Sequence, residues 1–269
     1  MSNRKILYIC PEVTPYLPQT HISTICRFLP QAVQEAGNEV RVFMPRFGNI
    51  NERRNQLHEV IRLSGLNLII DDTDHQLIIK VASIPGARMQ IYFIDNEDFF
   101  SRKATEKDSE EQSFADNDER MMFFARGVLE TVKKLRWSPS IVHCHGWFSL
   151  FAPMYLKKIF KDDPIFNKAK VILSLYNNNF EGTLDPAIKN KIKQEGIKVG
   201  ELTNLEEPTY LNLHKFAMQY SDGVVFAHPD VDKDLAEYII STGKTTLEYH
   251  DNELFTPAYT EFYEQILSK

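Results

Sequence analysis

A chain of 269 residues with 43% hydrophobic and 25% charged residues has the make-up of a globular protein large enough for one sizeable core. Its formal net charge of -6 gives no support to nucleic-acid or anionic-membrane binding, and no apolar run approaches the roughly 20 residues of a membrane helix. Cys10, Cys26 and Cys144 are odd in number, far apart and set in apolar surroundings, which predicts reduced core thiols.

The chain opens on Lys5–Cys10, a run too short for the apolar region of a signal peptide, so a cytoplasmic address is expected. Further nearly continuous apolar runs at Glu39–Phe43, Ile141–Cys144, Val171–Leu175 and Gly223–Ala227 read as buried parallel strands. Helical periodicity fills the intervals at Ile22–Ala36, Phe114–Leu135, Trp147–Phe160, Thr209–Tyr220 and Val231–Ile240. This alternation predicts an α/β fold with a doubly wound, Rossmann-like, mostly parallel sheet. Two regions break the rhythm. Between Leu66 and Ile94, three strand-like runs joined by turns read as a small antiparallel insertion, a side sheet or hairpin. The charged stretch Ser101–Asp118 reads as a mobile surface loop, with Lys107–Glu111 a solvated face. No internal repeat or Gly/Ser linker marks a second domain, so residues 1–269 are expected to form one.

Several segments resemble bacterial glycogen synthases and plant starch synthases, the glucan glucosyltransferases that use ADP-glucose. At the amino terminus Glu12, Pro15, Leu29, Pro30, Gly37, Val40, Arg41, Val42, Pro45 and Arg46 fall in register with that family. Asp116, Asn117 and Arg120 match its Y-x-D-N-x-x-R-F helix; His143, His145, Trp147, Ala152, Pro153 and Tyr155 match H-x-H-D-W-H-x-x-L-A-P-x-Y. Asn177 and Gly182 match H-N-x-x-Y-Q-G, and Lys215, Asp222, Val224 and Pro229 match the segment around the last strand. The resemblance covers about residues 4 to 240 in order, and implies the amino-terminal half of a two-domain GT-B glycosyltransferase. The nucleotide-binding half is then expected to be missing. The tail, residues 257–268, places Tyr259, Phe262 and Ile266 on one helical face behind Pro257. It reads equally as a retained crossover helix of the larger enzyme or as an ordinary terminal helix.

Against this background the chemical positions are altered. The family's K-T-G-G donor turn, whose lysine and glycines approach the leaving diphosphate, becomes Pro18, Gln19, Thr20 and His21. Its D-W-H becomes Gly146, Trp147 and Phe148, and the histidine of H-N becomes Tyr176. No catalytic residue is therefore expected. The candidate cleft residues are Glu12, Gln19, Thr20, His21, His143, His145, Trp147, Tyr176, Asn177 and Lys215. His21 as a general base lacks an identifiable partner. Tyr176–Phe180 suits sugar hydroxyls and faces, but suits a solvated loop better. His143 and His145 alternate onto one strand face, yet no acidic or thiol ligand stands at a recognisable metal spacing, so no metal and no cofactor are expected.

Two functions follow from the resemblance. One is a non-catalytic glycogen/starch synthase-like domain that binds a glucan or oligosaccharide, or else a protein partner or a second copy of itself. The alternative is an active glycosyltransferase completed by a partner subunit or using another donor. An unrelated α/β hydrolase is disfavoured, since the chain has no G-x-S-x-G elbow.

Overall fold

The computed structural model describes residues 3–251 and 255–269; Met1, Ser2 and residues 252–254, counted in the expected domain, lie outside the described residues. Its strands are β1 (Lys5–Ile9), β2 (Glu39–Pro45), β3 (His58–Glu59), β4 (Leu66–Ile70), β5 (Thr73–Ser83), β6 (Gln90–Asp95), β7 (Ile141–His145), β8 (Lys170–Leu175), β9 (Gly223–Phe226) and β10 (Thr245–Leu247). They form one sheet in the order β10, β9, β8, β7, β1, β2, β6, β5, β3, with β4 also paired to β5. From β10 to β6 every pairing is parallel. Each of the five runs read as strands is one, within a residue or two of the expected ends.

The insertion has the expected antiparallel pairing, β4 with β5 and β5 with β6. It does not lie apart as a side sheet, because β6 also pairs in parallel with β2, Val42 opposite Ile91 through Pro45 opposite Ile94. The reason lies in its composition: Ile91, Phe93 and Ile94 are all buried, as a strand covered on both faces requires.

The helices are α1 (His21–Glu35), α2 (Glu97–Phe100), α3 (Asn117–Lys134), α4 (Ala152–Met154), α5 (Ile188–Gln194), α6 (Tyr210–Met218), α7 (Lys233–Thr242) and α8 (Phe255–Leu267). On one sheet face stand Tyr8, Cys10, His143, His145, Ser174 and Tyr176, beneath α1 and α8; α3 covers the other. On α8, Tyr259, Phe262 and Ile266 are buried against the sheet. Ile266 and Phe262 come so close that a Cβ on Gly223 would lie 2.6 Å from Ile266 Cδ1 and 3.0 Å from Phe262 Cζ, so a larger residue there would require these side chains to shift.

The helix expected at Trp147–Phe160 is broken into a 3₁₀ turn (Trp147–Ser149), α4, and a π turn (Tyr155–Ile159). Ser149 Oγ donates to the carbonyls of His145 (3.0 Å) and Gly146 (2.9 Å), so the first turn has a side-chain donor where a regular helix would use backbone N–H groups.

Candidate ligand cleft

An open α/β sheet presents ligands with the carboxyl ends of its strands at the point where chain order reverses, here between β1 and β7. The turn after β1 reaches α1 through Thr20, whose hydroxyl caps the helix by accepting from Ser23 N (3.0 Å) while Ser23 Oγ accepts from Thr20 N (2.8 Å). Thr20 Oγ1 also donates to Glu12 Oε1 at 2.7 Å. The sequence T-x-x-S is thus a capping box at the place where the resemblance puts glycines.

His21 closes the turn further. Its Nε2 donates to the carbonyl of Ala227 at the end of β9, 2.7 Å away, and its ring meets His228 edge-on with centroids 5.0 Å apart. The side chain that stands in place of a glycine therefore ties the start of α1 to the far wall of the cleft. Gln19 and Thr20 remain on the surface beside it.

The second loop is filled as well. Gly146 has φ 65° and ψ 171°, a region essentially reserved for glycine, and a Cβ there would stand 3.4 Å from both Asn178 Nδ2 and Pro11 Cγ. Trp147 is buried against Phe180, with ring centroids 4.9 Å apart. Phe148 lies in the core among Phe47, Phe124 and the Arg120 guanidinium.

The third loop starts from Tyr176, which is 1% exposed and holds His145 Nδ1 with its hydroxyl at 2.7 Å. Asn177 is exposed. His143 is satisfied at both ring nitrogens, by Tyr263 and Ser174, each at 2.7 Å. Burial, then the His145 ring, holds His143 well below the usual histidine range; burial brings His145 down to about 3. Both rings are thus neutral inside the sheet. Lys215 belongs elsewhere: its ammonium lies over the ring of Tyr238 on α7.

The segment read as a mobile surface loop is fastened across the cleft mouth. Arg102 makes two hydrogen bonds to Asp116, at 2.9 and 2.6 Å, and Asn117 Nδ2 donates to the carbonyl of Glu106 at 2.9 Å. Gly48 permits the approach, since a Cβ there would lie 2.2 Å from the Ser101 carbonyl oxygen. Lys107–Glu111, expected to be a solvated face, are all exposed, and Lys107 pairs with Glu111 at 3.7 Å on that surface.

Between this loop and the β1 turn is a cavity of about 110 Å³ lined by Pro11, Glu12, Leu17, Phe47, Glu106 and Asn178, among others. Burial, then the neighbouring Glu12 carboxylate, pushes Glu106 up to about 7, with Arg120 and Lys107 opposing. Burial also raises Glu12, against its bond from Thr20. Because folded Glu106 holds its proton above the ordinary 4.5, its contribution to stability falls as pH rises through the window up to about 7. Glu106→Gln is thus expected to leave the melting temperature little changed near about pH 5 and to raise it above wild type near about pH 8. Equal shifts at both values, in thermal melts followed by circular dichroism, contradict this.

A second groove, of about 340 Å³, runs along the outer side of the same loop, between Ser113–Ala115 and Phe180–Pro186. It offers the Phe114 and Phe180 rings together with Glu181, Thr183 and Asp185. Its far wall is held by Lys191, whose Nζ reaches Asp118 (2.8 Å), Glu119 (2.6 Å) and Asp185 (3.0 Å).

Comparison with known proteins gives a consistent picture. The family model described as the starch synthase catalytic domain matches residues 5–247. The glycogen synthase of Chlorobium luteolum is 34% identical over 196 residues, covering 72% of this chain and 40% of that protein. That of Chlorobaculum parvum is 31% identical over 236 residues, covering 87% and 48%. The chain thus spans less than half the length of these curated relatives. In fold it is similar to the catalytic domain of starch synthase IV from Arabidopsis thaliana bound to ADP and acarbose, with a TM-score of 0.77 and 18% identity, over 93% of this chain and 52% of that one.

Proposed function

The chain belongs to the starch synthase catalytic domain family, and from that premise we propose that it is a glycogen/starch synthase-like domain that binds a glucan or oligosaccharide without transferring glucose. The observation that carries the proposal is the closed turn at Pro18–His21. Transfer from a nucleotide sugar needs preorganised donors and a cation at the leaving diphosphate. In this turn a proline stands in place of the lysine, and the Thr20 cap and the His21 to Ala227 bond occupy the space that two glycines would leave open. Gly146 and Phe148, in place of a carboxylate and an imidazole, support the same reading.

Support for a glucan comes from the groove between Phe114 and Phe180, where aromatic faces and carboxylates suit the apolar faces and hydroxyls of hexoses. The Arabidopsis relative was solved with acarbose, an oligosaccharide analogue, which points to the same ligand class. In calorimetric titrations of the purified chain, maltooligosaccharides are expected to saturate while ADP-glucose and UDP-glucose are not. Labelled glucose from ADP-glucose is expected to stay out of glycogen. Saturable ADP-glucose binding that is lost on substitution within Pro18–His21 overturns the proposal, as does a failure of every oligosaccharide to bind.

A further inference from the structure

Beneath the cleft, the ends of β1 and β7 and the middle of α1 bring two thiols and an imidazole together. Cys10 continues β1 and is adjacent to His145 of β7 on the same sheet face; Cys26 reaches down from α1. The ligand atoms of Cys10, Cys26 and His145 all lie within 4.8 Å of one another, and all three residues are buried. Burial, then the neighbouring Cys10 thiol, raises the Cys26 thiol well above the usual range.

The imidazole supplies an independent observation. His145 is 0% exposed, and with Nδ1 held by the Tyr176 hydroxyl its Nε2 has no hydrogen-bond partner. A buried ring nitrogen left unpaired has a free-energy cost that a bound ligand removes. A bond from Nδ1–H to the Tyr176 oxygen leaves the Nε2 lone pair free, which is the tautomer a metal ligand needs.

We propose that Cys10, Cys26 and His145 form a binding site for a soft-accepting divalent cation of the zinc class. Two sulfurs and one nitrogen are the donors that zinc takes, at about 2.3 Å and about 2.0 Å, so sulfurs and nitrogen must close to about 3.5 to 3.8 Å apart. That contraction is about 1 Å from the outer limit of the present arrangement. Charge selects the valence. Binding displaces one proton from each thiol, and the two thiolates and the dication then sum to zero, as an apolar interior favours. A monovalent cation on the same ligands leaves one buried negative charge. Cys10, Cys26 and His145 all lie outside the altered donor turn at Pro18–His21.

Cobalt(II) makes the site visible, since thiolate to cobalt charge transfer absorbs in the near ultraviolet. The chain, fully reduced, is titrated with cobalt(II) chloride, both as the native protein and during refolding from urea. Saturation at one cobalt per chain, displaced by zinc, is expected, with the band lost in Cys26→Val and weakened in Cys10→Ser. Zinc is expected to raise the melting temperature of the wild type and not of Cys26→Val, a small substitution that a core position should accept. Absence of the band under both loading conditions overturns the proposal. So does an undiminished band in both variants, or prompt oxidation to a Cys10–Cys26 disulfide in place of binding.

Discussion

Replacing Pro18, Gln19, Thr20 and His21 together by Lys, Thr, Gly and Gly is expected to lower stability by about 3 kcal/mol and to confer no glucose transfer. The change removes the hydrogen bond from His21 to Ala227 and that from Thr20 to Glu12, each worth about 1 kcal/mol. Two new glycines add about 1 kcal/mol of backbone freedom to be lost on folding. In a domain of this size the melting temperature should fall by roughly 6 to 12 °C. Activity should not return, because Gly146 and Phe148 still stand where the resemblance places a carboxylate and an imidazole, and the buried Tyr176 hydroxyl remains committed to His145. Incorporation of labelled glucose into glycogen by the quadruple variant, at any rate above that of the wild type, contradicts the expectation.

The second large effect is expected at Lys191→Met. The Lys191 side chain is 7% exposed and its ammonium pairs with Asp118 Oδ2, on a side chain that is completely buried, as well as with Glu119 and Asp185. Removing one partner of a buried pair leaves a charge without compensation, at a cost of about 3 to 5 kcal/mol. Adding Asp118→Asn should recover part of that loss, since the stranded charge is then gone. Urea unfolding of both variants measures this; a loss below about 1 kcal/mol for Lys191→Met shows that the cluster is solvated in solution. The consequence reaches the groove, because Lys191 ties Asp185, on the groove's wall, to the start of α3.

Strands that are buried on both faces were readable because their apolar runs need no partner to be recognised, as in Lys5–Ile9 and Ile141–His145. The membership of β6 in the main sheet was not, since pairing with β2 is a tertiary choice that leaves the local run unchanged. The short β10, Thr245–Leu247, carries too few apolar residues to announce itself. At the cleft, the altered residue types were plain in the sequence, whereas their use was not. That His21 reaches Ala227 depends on contact across 206 residues, and that Tyr176 turns inward depends on His145 above it. The T-x-x-S capping box at Thr20 was the one local signal available, and its meaning is clear only beside the glycines it replaces. Likewise, no spacing rule connects Cys10, Cys26 and His145; the sheet register and the seat of α1 do.

The tail helix has a consequence for how the molecule is made. The Tyr263 hydroxyl on α8 shares hydrogen bonds with both His143 Nδ1 (2.7 Å) and the Tyr8 hydroxyl (3.2 Å), beneath the centre of the sheet. Tyr8 leaves the ribosome well before its partner, which follows 255 residues later. A nascent chain that ends before Tyr263 therefore carries two polar groups in its central strands with this bond unmade, and closure of the longest loops comes last. Until then the chain depends on water, or on a chaperone, to occupy the place of α8.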